Sequence, residues 1–150
     1  MTAYPDTSFL CALYRSQDNS PVATAHAARM KEPVHVAGPL LYEFRQSTRL
    51  QVFLYEKDPK LGFPRSTAQI ILAKLQANIA SGGVVIVPVD WGDVFSIAER
   101  LSAQFAIDQG YRGLDILHVA TAIHLGTAEF LTFDGKQKRL AEAEGLTVPF

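Results

Sequence analysis

Cysteine is nearly absent. Cys11 stands alone in 150 residues, which excludes an intramolecular disulfide and leaves no thiolate set for a zinc site. It lies in the apolar helical stretch SFLCALY and reads as a small core residue. An excess of either charge is absent too: 14 Lys and Arg against 15 Asp and Glu give a formal net charge of -1. The chain as a whole is therefore no trap for a polyanion. A nucleic-acid partner would need locally concentrated positive charge, or acids neutralised by metal. The opening MTAYPDTSFL has no basic region ahead of an apolar core, so no secretory signal is expected there. No apolar run approaches the ~20 residues that cross a bilayer. A soluble, cytoplasmic protein is the expectation, with no internal repeat and no low-complexity segment.

What the chain does have is an ordinary globular balance, 48% hydrophobic and 19% charged residues, in a length suited to one domain with a sizeable core. Strand patterns at Ala3–Tyr4, PVHVAG, VVIVPV, EFLTF and LTVPF alternate with helical patterns. Among the helices, Leu40, Leu41, Phe44, Val52 and Phe53 recur at helical spacing between Pro39 and about Glu56. The stretch KDPKLGFPRS, with two prolines and a glycine, is the clearest break and separates two helices, not two domains. The alternation predicts a three-layer α/β/α sandwich around a central, mainly parallel sheet. VVIVPV, a continuous β-branched run, reads as a strand covered on both faces. Pro5 brings no ladder donor, so pairing of the first strand is expected to end or bulge there.

Sites in open parallel sheets form at the carboxyl ends of strands and the helix starts beside them. Four acids occupy such places. Asp6 follows the first strand, Glu43 lies in the first turns of the helix after PVHVAG, Asp115 opens the helix after QGYRG, and Asp134 ends the FLTF strand. Carboxylates brought together raise each other's pKa unless a cation is present. Hard oxygen ligands of this kind suit Mg²⁺ or Mn²⁺, ions that promote in-line phosphoryl displacement. Helix capping is the plainer use of the same acids, and it is compatible with metal binding at Asp6. A phosphoacceptor domain is a poor match, because the first strand offers only Asp6, followed by Thr7 and Ser8.

Four blocks taken in order, DTSFL, EFRQS, GLDILHVATA and FLTFDGKQKRLAE, resemble those of the PIN-domain family. The nearest branch is that of VapC-like toxin ribonucleases of type II toxin–antitoxin pairs. The resemblance runs along essentially the whole chain and implies a single PIN-like domain over residues 1–150. It also implies Mg²⁺- or Mn²⁺-dependent cleavage of RNA, with Asp6, Glu43, Asp115 and Asp134 as the catalytic, metal-binding set. Thr7 or Ser8 and Thr132 match small hydroxyl residues beside those acids. A cognate antitoxin and a homodimer are expected partners.

Around this set, His118 lies one helical turn after Asp115 and could face the same region. Arg112 could pair with one of the acids. Lys136, in the basic run after Asp134, is a candidate phosphate contact, as are Arg45, Arg49, Arg65, Lys138 and Arg139. Asp90 and Asp93 are adequately explained as capping acids, and His26 and His124 read as surface residues. The alternative to an enzyme is a non-catalytic acidic module that docks a basic partner.

Overall fold

Two parallel strand pairs carry the architecture, as the alternation predicts. The computed structural model describes residues 1–150. It divides into two compact units, Met1–Phe9 with Val87–Phe150, and Leu10–Ile86.

In the first unit, β1 (Ala3–Pro5) pairs in parallel with β4 (Glu129–Leu131), Ala3 opposite Glu129 and Pro5 opposite Leu131. Pairing ends at Pro5, as expected, and does so without a bulge. Pro5 occupies a position from which no ladder donor is needed, and the Asp6 N–H closes the ladder on the Leu131 carbonyl at 3.0 Å. The expected last strand shrinks to one bridge, Glu129 with Thr147, held by Phe130 N–H to the Thr147 carbonyl at 2.9 Å and Thr147 N–H to the Ala128 carbonyl at 2.9 Å. The remaining residues serve packing: Phe150 stacks on Phe133 with centroids 4.6 Å apart and on Phe9 at 5.8 Å. Those rings brace the segment that carries Thr132 and Asp134.

Some helices of this unit start where the sequence supplies a side-chain cap. Asp90 accepts from the N–H groups of Gly92 and Asp93 and opens α5 (Trp91–Leu101). A π-helical stretch, Ser102–Ala106, leads into the short α6 (Ile107–Gln109). Gly110, at φ 66°, stops it in the left-handed conformation that a residue with a Cβ resists. Next come α7 (Gly113–His124) and α8 (Gly135–Ala143). Helix α7 packs on α5 and buries Ile116, Val119, Ala120 and Ala122. Each fully buried Val, Leu or Ile side chain contributes about 1.5–3 kcal/mol, which fixes the rotation of α7 and with it the direction of Asp115.

In the second unit, β2 (Val34–Val36) pairs in parallel with β3 (Val84–Ile86). VVIVPV, expected to be a strand covered on both faces, yields only these three residues, and Ile86 is exposed. Pro88 ends the run, since a proline offers no ladder donor. Helix α1 (Thr7–Tyr14) begins in the first unit and finishes in this one; α2 (Ser20–Arg29) follows with Pro21 in its first turn. The helices α3 (Gly38–Lys57) and α4 (Arg65–Ala80) pack together and bury Leu40, Leu41, Phe44, Ala68, Ile71 and Leu75. The break between them folds back on α3: the Phe63 N–H reaches the Gln51 carbonyl, and a Cβ on Gly62 would meet that oxygen at 2.0 Å. Only glycine fits there, at φ 60°. No helix is long and apolar enough to cross a membrane.

Candidate active site

Asp6 leaves β1 directly and is wholly buried. An ionised carboxylate in that position needs donors, and the chain supplies three. Thr132 Oγ1 donates to Oδ2 at 2.6 Å, Ser8 Oγ to Oδ1 at 2.7 Å, and the Phe9 N–H to Oδ1 at 2.9 Å. The last bond makes Asp6 the cap of α1, so the capping and site readings coexist in one side chain. Burial raises the carboxyl above its ordinary value, while the three donors and the nearby His118 oppose the shift.

From Asp6 the bonds run on without interruption. Thr132 Oγ1 accepts from the Asp134 N–H at 2.9 Å, and Ser8 Oγ accepts from the Phe133 N–H at 2.8 Å. Asp134 caps α8, its Oδ1 accepting from Lys136 N–H at 2.8 Å and Gln137 N–H at 2.9 Å, while Oδ2 accepts nothing. Gln137 then turns its side chain to Asp115, Nε2 donating to Oδ1 at 3.3 Å, and Arg112 Nε donates to Asp115 Oδ2 at 3.2 Å. Asp6, Asp134 and Asp115 are thus joined through Thr132 and Gln137 into one network within one unit. His118 is buried with Nε2 3.5 Å from Thr7 Oγ1. Lys136 Nζ lies 3.4 Å from the Gly110 carbonyl. The first-unit acids and hydroxyls expected at the site are in or beside the network, whereas Lys138 turns its Nζ to the Phe150 carbonyl at 3.0 Å and Glu43 belongs to the second unit, half-buried near the start of α3.

Gln137 is the participant that sequence reasoning missed. The stretch Asp134-Gly135-Lys136-Gln137 hides it: an acid followed three residues later by Gln reads as a capping box, in which the Gln reaches back to the cap N–H. Here Thr132 already takes that N–H, which frees the Gln137 side chain for Asp115. Its Oε1 is buried and has no partner, a costly state for an acceptor. His124, expected on the surface, makes exposed bonds there, Nδ1 to Asp93 at 2.6 Å, with Nε2 accepting from the Asp90 N–H at 3.4 Å.

Does a hard divalent ion fit this arrangement? Three His, Cys, Asp or Glu side chains are nowhere drawn into a ready-made cage. The donor chemistry nevertheless suits such an ion: the acidic groups are carboxylates, without sulfur. Asp134 keeps one oxygen free, the bonds to Asp115 are long, and the orphaned Gln137 oxygen lies in the same network. In donor chemistry, Asp115 and Asp134 would suit a hard divalent ion.

With that geometry in view, the chain belongs to the PIN domain family, whose match spans residues 3–143. Its fold is accordingly the α/β one that the alternation implied, and the PIN-like one that the resemblance implied. No curated protein sequence matches it. Among solved structures, it is similar to FitAcB from Neisseria gonorrhoeae, with a TM-score of 0.65, 17% identity and coverage of 98% of this chain and 96% of that one. The VapC20 toxin of Mycobacterium tuberculosis, described as cleaving the sarcin–ricin loop, gives a TM-score of 0.62 at 17% identity over 97% of both chains. VapBC2 from Rickettsia felis, bound to a DNA fragment from its promoter, gives 0.65 at 13% identity over 99% of this chain and 97% of that one.

Proposed function

We propose that the chain is a Mg²⁺- or Mn²⁺-dependent endoribonuclease, the toxin of a toxin–antitoxin pair, acting as one domain over residues 1–150. The observation that carries this reading is the unbroken network from Asp6 through Thr132, Asp134 and Gln137 to Asp115, in a chain of the PIN family. PIN nucleases generally use divalent metals. In this reading Asp6, Glu43, Asp115 and Asp134 hold the ion. The ion, when bound, supplies charge stabilisation and water activation for in-line displacement at phosphorus.

The chain's own residues have separate tasks. Thr132 and Ser8 fix both oxygens of Asp6 and keep that carboxylate aimed in a dry site. Gln137 orients Asp115, and the exposed Arg112 is displaced from Asp115 toward the RNA backbone, together with Lys136. Cleavage of the bond between phosphorus and the ribose 3′ oxygen leaves a 5′-phosphate. A cognate antitoxin restrains the activity, and a homodimer is the assembly proposed from the family resemblance.

The test is cleavage of labelled structured RNA by the purified, partner-free chain, with Mn²⁺, with EDTA, and with Asp115→Asn. Cleavage that needs the metal and Asp115 and leaves 5′-phosphate ends supports the reading. Ends carrying 2′,3′-cyclic phosphate, or cleavage indifferent to Asp115, overturn it; a broad RNA panel left intact by a chain that also binds no Mn²⁺ returns the acids to the role of a docking module.

A further inference from the structure

Arg15, just beyond α1 in the second unit, is a half-buried guanidinium that no carboxylate pairs with. Its Nη2 donates to Ser47 Oγ at 2.5 Å and to Thr48 Oγ1 at 2.9 Å. Those two hydroxyls give their own protons to the Phe44 carbonyl, at 3.1 and 2.9 Å, and so present lone pairs to Arg15. The rings of Phe44 and Phe63 lie over the guanidinium, with centroids 5.6 and 5.7 Å from Cζ. The Nε–H is buried without an acceptor.

Neutral hydroxyls and ring faces offset only part of the cost of burying a full charge. A removed counter-charge is the costly case, since an uncompensated buried ion destabilises the fold. Burial accordingly lowers the pKa of Arg15. The fold goes to some length to build this setting, because Phe63 reaches Arg15 only through the turn that Gly62 makes against Gln51. Beside the guanidinium opens a cavity of about 380 Å³, to which Gln17, Gln51, Phe63 and Thr67 contribute and no acid does. One cation ringed by amide and hydroxyl donors matches an anion with several oxygens.

We infer that this cavity is a binding site for a phosphate group, with Arg15 as its cation and Gln17, Gln51 and Thr67 as neutral donors. The inference goes beyond the nuclease reading and does not depend on it. The phosphate belongs either to a free phosphomonoester or to an RNA backbone.

Calorimetric titration of the full chain with inorganic phosphate, at fixed ionic strength and with chelator present, tests the site. Saturable binding is expected, weakened at least about tenfold in Arg15→Met, the scale of one charge-assisted hydrogen bond. A rise in melting temperature with phosphate, lost in the same variant, is the thermal counterpart. Uridine monophosphate and a short oligoribonucleotide, each titrated with chelator, separate the sources: a loss with all the probes assigns the site to the RNA backbone, and a loss with phosphate and the mononucleotide alone assigns it to a free monoester. Should Arg15→Met not fold, Gln51→Glu keeps Arg15 and supplies a carboxylate in the same cavity. That variant should melt higher than the parent and lose phosphate binding. No saturable binding by the parent chain, or unchanged phosphate affinity in the variants, overturns the inference.

Discussion

Asp6 in the first unit and Arg15 in the second are buried charges treated in opposite ways. Asp6 is sealed from solvent and receives three donors from its own chain, so nothing in its surroundings is left unmet. Arg15 is half-buried, faces a cavity, and keeps an N–H with no acceptor. The difference separates a charge that is positioned from a charge that is waiting. Burying Asp6 deeply with its donors fixes where its oxygens point, as preorganised catalytic groups require. Leaving Arg15 short of an anion makes that region responsive to one.

The comparison can be broken most severely at the acids. Asp115→Asn should remove RNA cleavage while the melting temperature stays near that of the parent chain, because Asp115 receives only two long hydrogen bonds. Loss of folding instead would make Asp115 a structural residue. Next in size is Gln137→Leu, expected to weaken Mn²⁺ binding or turnover by about 10–100-fold, as changes to groups that orient a ligand do. An unaltered Mn²⁺ isotherm would return Gln137 to the role of a helix cap.

In the second unit, Gly62→Ala must push a Cβ against the Gln51 carbonyl; a loss of about 1–3 kcal/mol is expected in denaturant unfolding. It should also lower phosphate affinity by displacing Phe63 from Arg15. Asp6→Asn sharpens the contrast by changing sign. The folded carboxyl has a raised pKa, dominated by burial, so the native state holds its proton more tightly than the unfolded chain. Stability from this group is therefore full below the unfolded pKa and lost as pH rises through the folded one. In chelator at neutral pH, the neutral Asn should be more stable than the parent chain while abolishing activity; a variant less stable at every pH would show that the donors outweigh burial. The smallest effect belongs to the exposed Arg65–Glu56 pair at 2.8 Å. Glu56→Gln should move stability by no more than ~0.5 kcal/mol, and a larger loss would mean that the α3–α4 turn depends on it.

Much of the first unit was legible because its signals are local. Asp6, Asp115 and Asp134 each stand where a strand ends or a helix begins, and the same placement makes two of them caps. The hydroxyls came with the family resemblance, which named Thr132 and left Thr7 and Ser8 as alternatives; Ser8 is the one that bonds Asp6. Gln137 was hidden, since whether a Gln at the third helical position turns back to the cap or outward depends on what has already taken the cap N–H. Arg15 was hidden more completely: nothing near it in sequence announces Phe44, Ser47 or Phe63, which meet it only through tertiary folding. At Pro5 the end of pairing was legible and its form was not: the strand stops there without a bulge, because the register, which is not written in the residue itself, leaves the missing donor facing no acceptor.

The central claim is that Asp115 and Asp134 hold a divalent ion with Asp6 and Glu43. Calorimetric titration of the partner-free chain with Mn²⁺, compared with Asp115→Asn and Glu43→Gln, tests it most directly, because it reads the ion without needing the right RNA. Saturable binding by the parent chain that is lost in Asp115→Asn and weakened in Glu43→Gln is the predicted result. No binding by the parent chain, or binding equal in all three proteins, would contradict it.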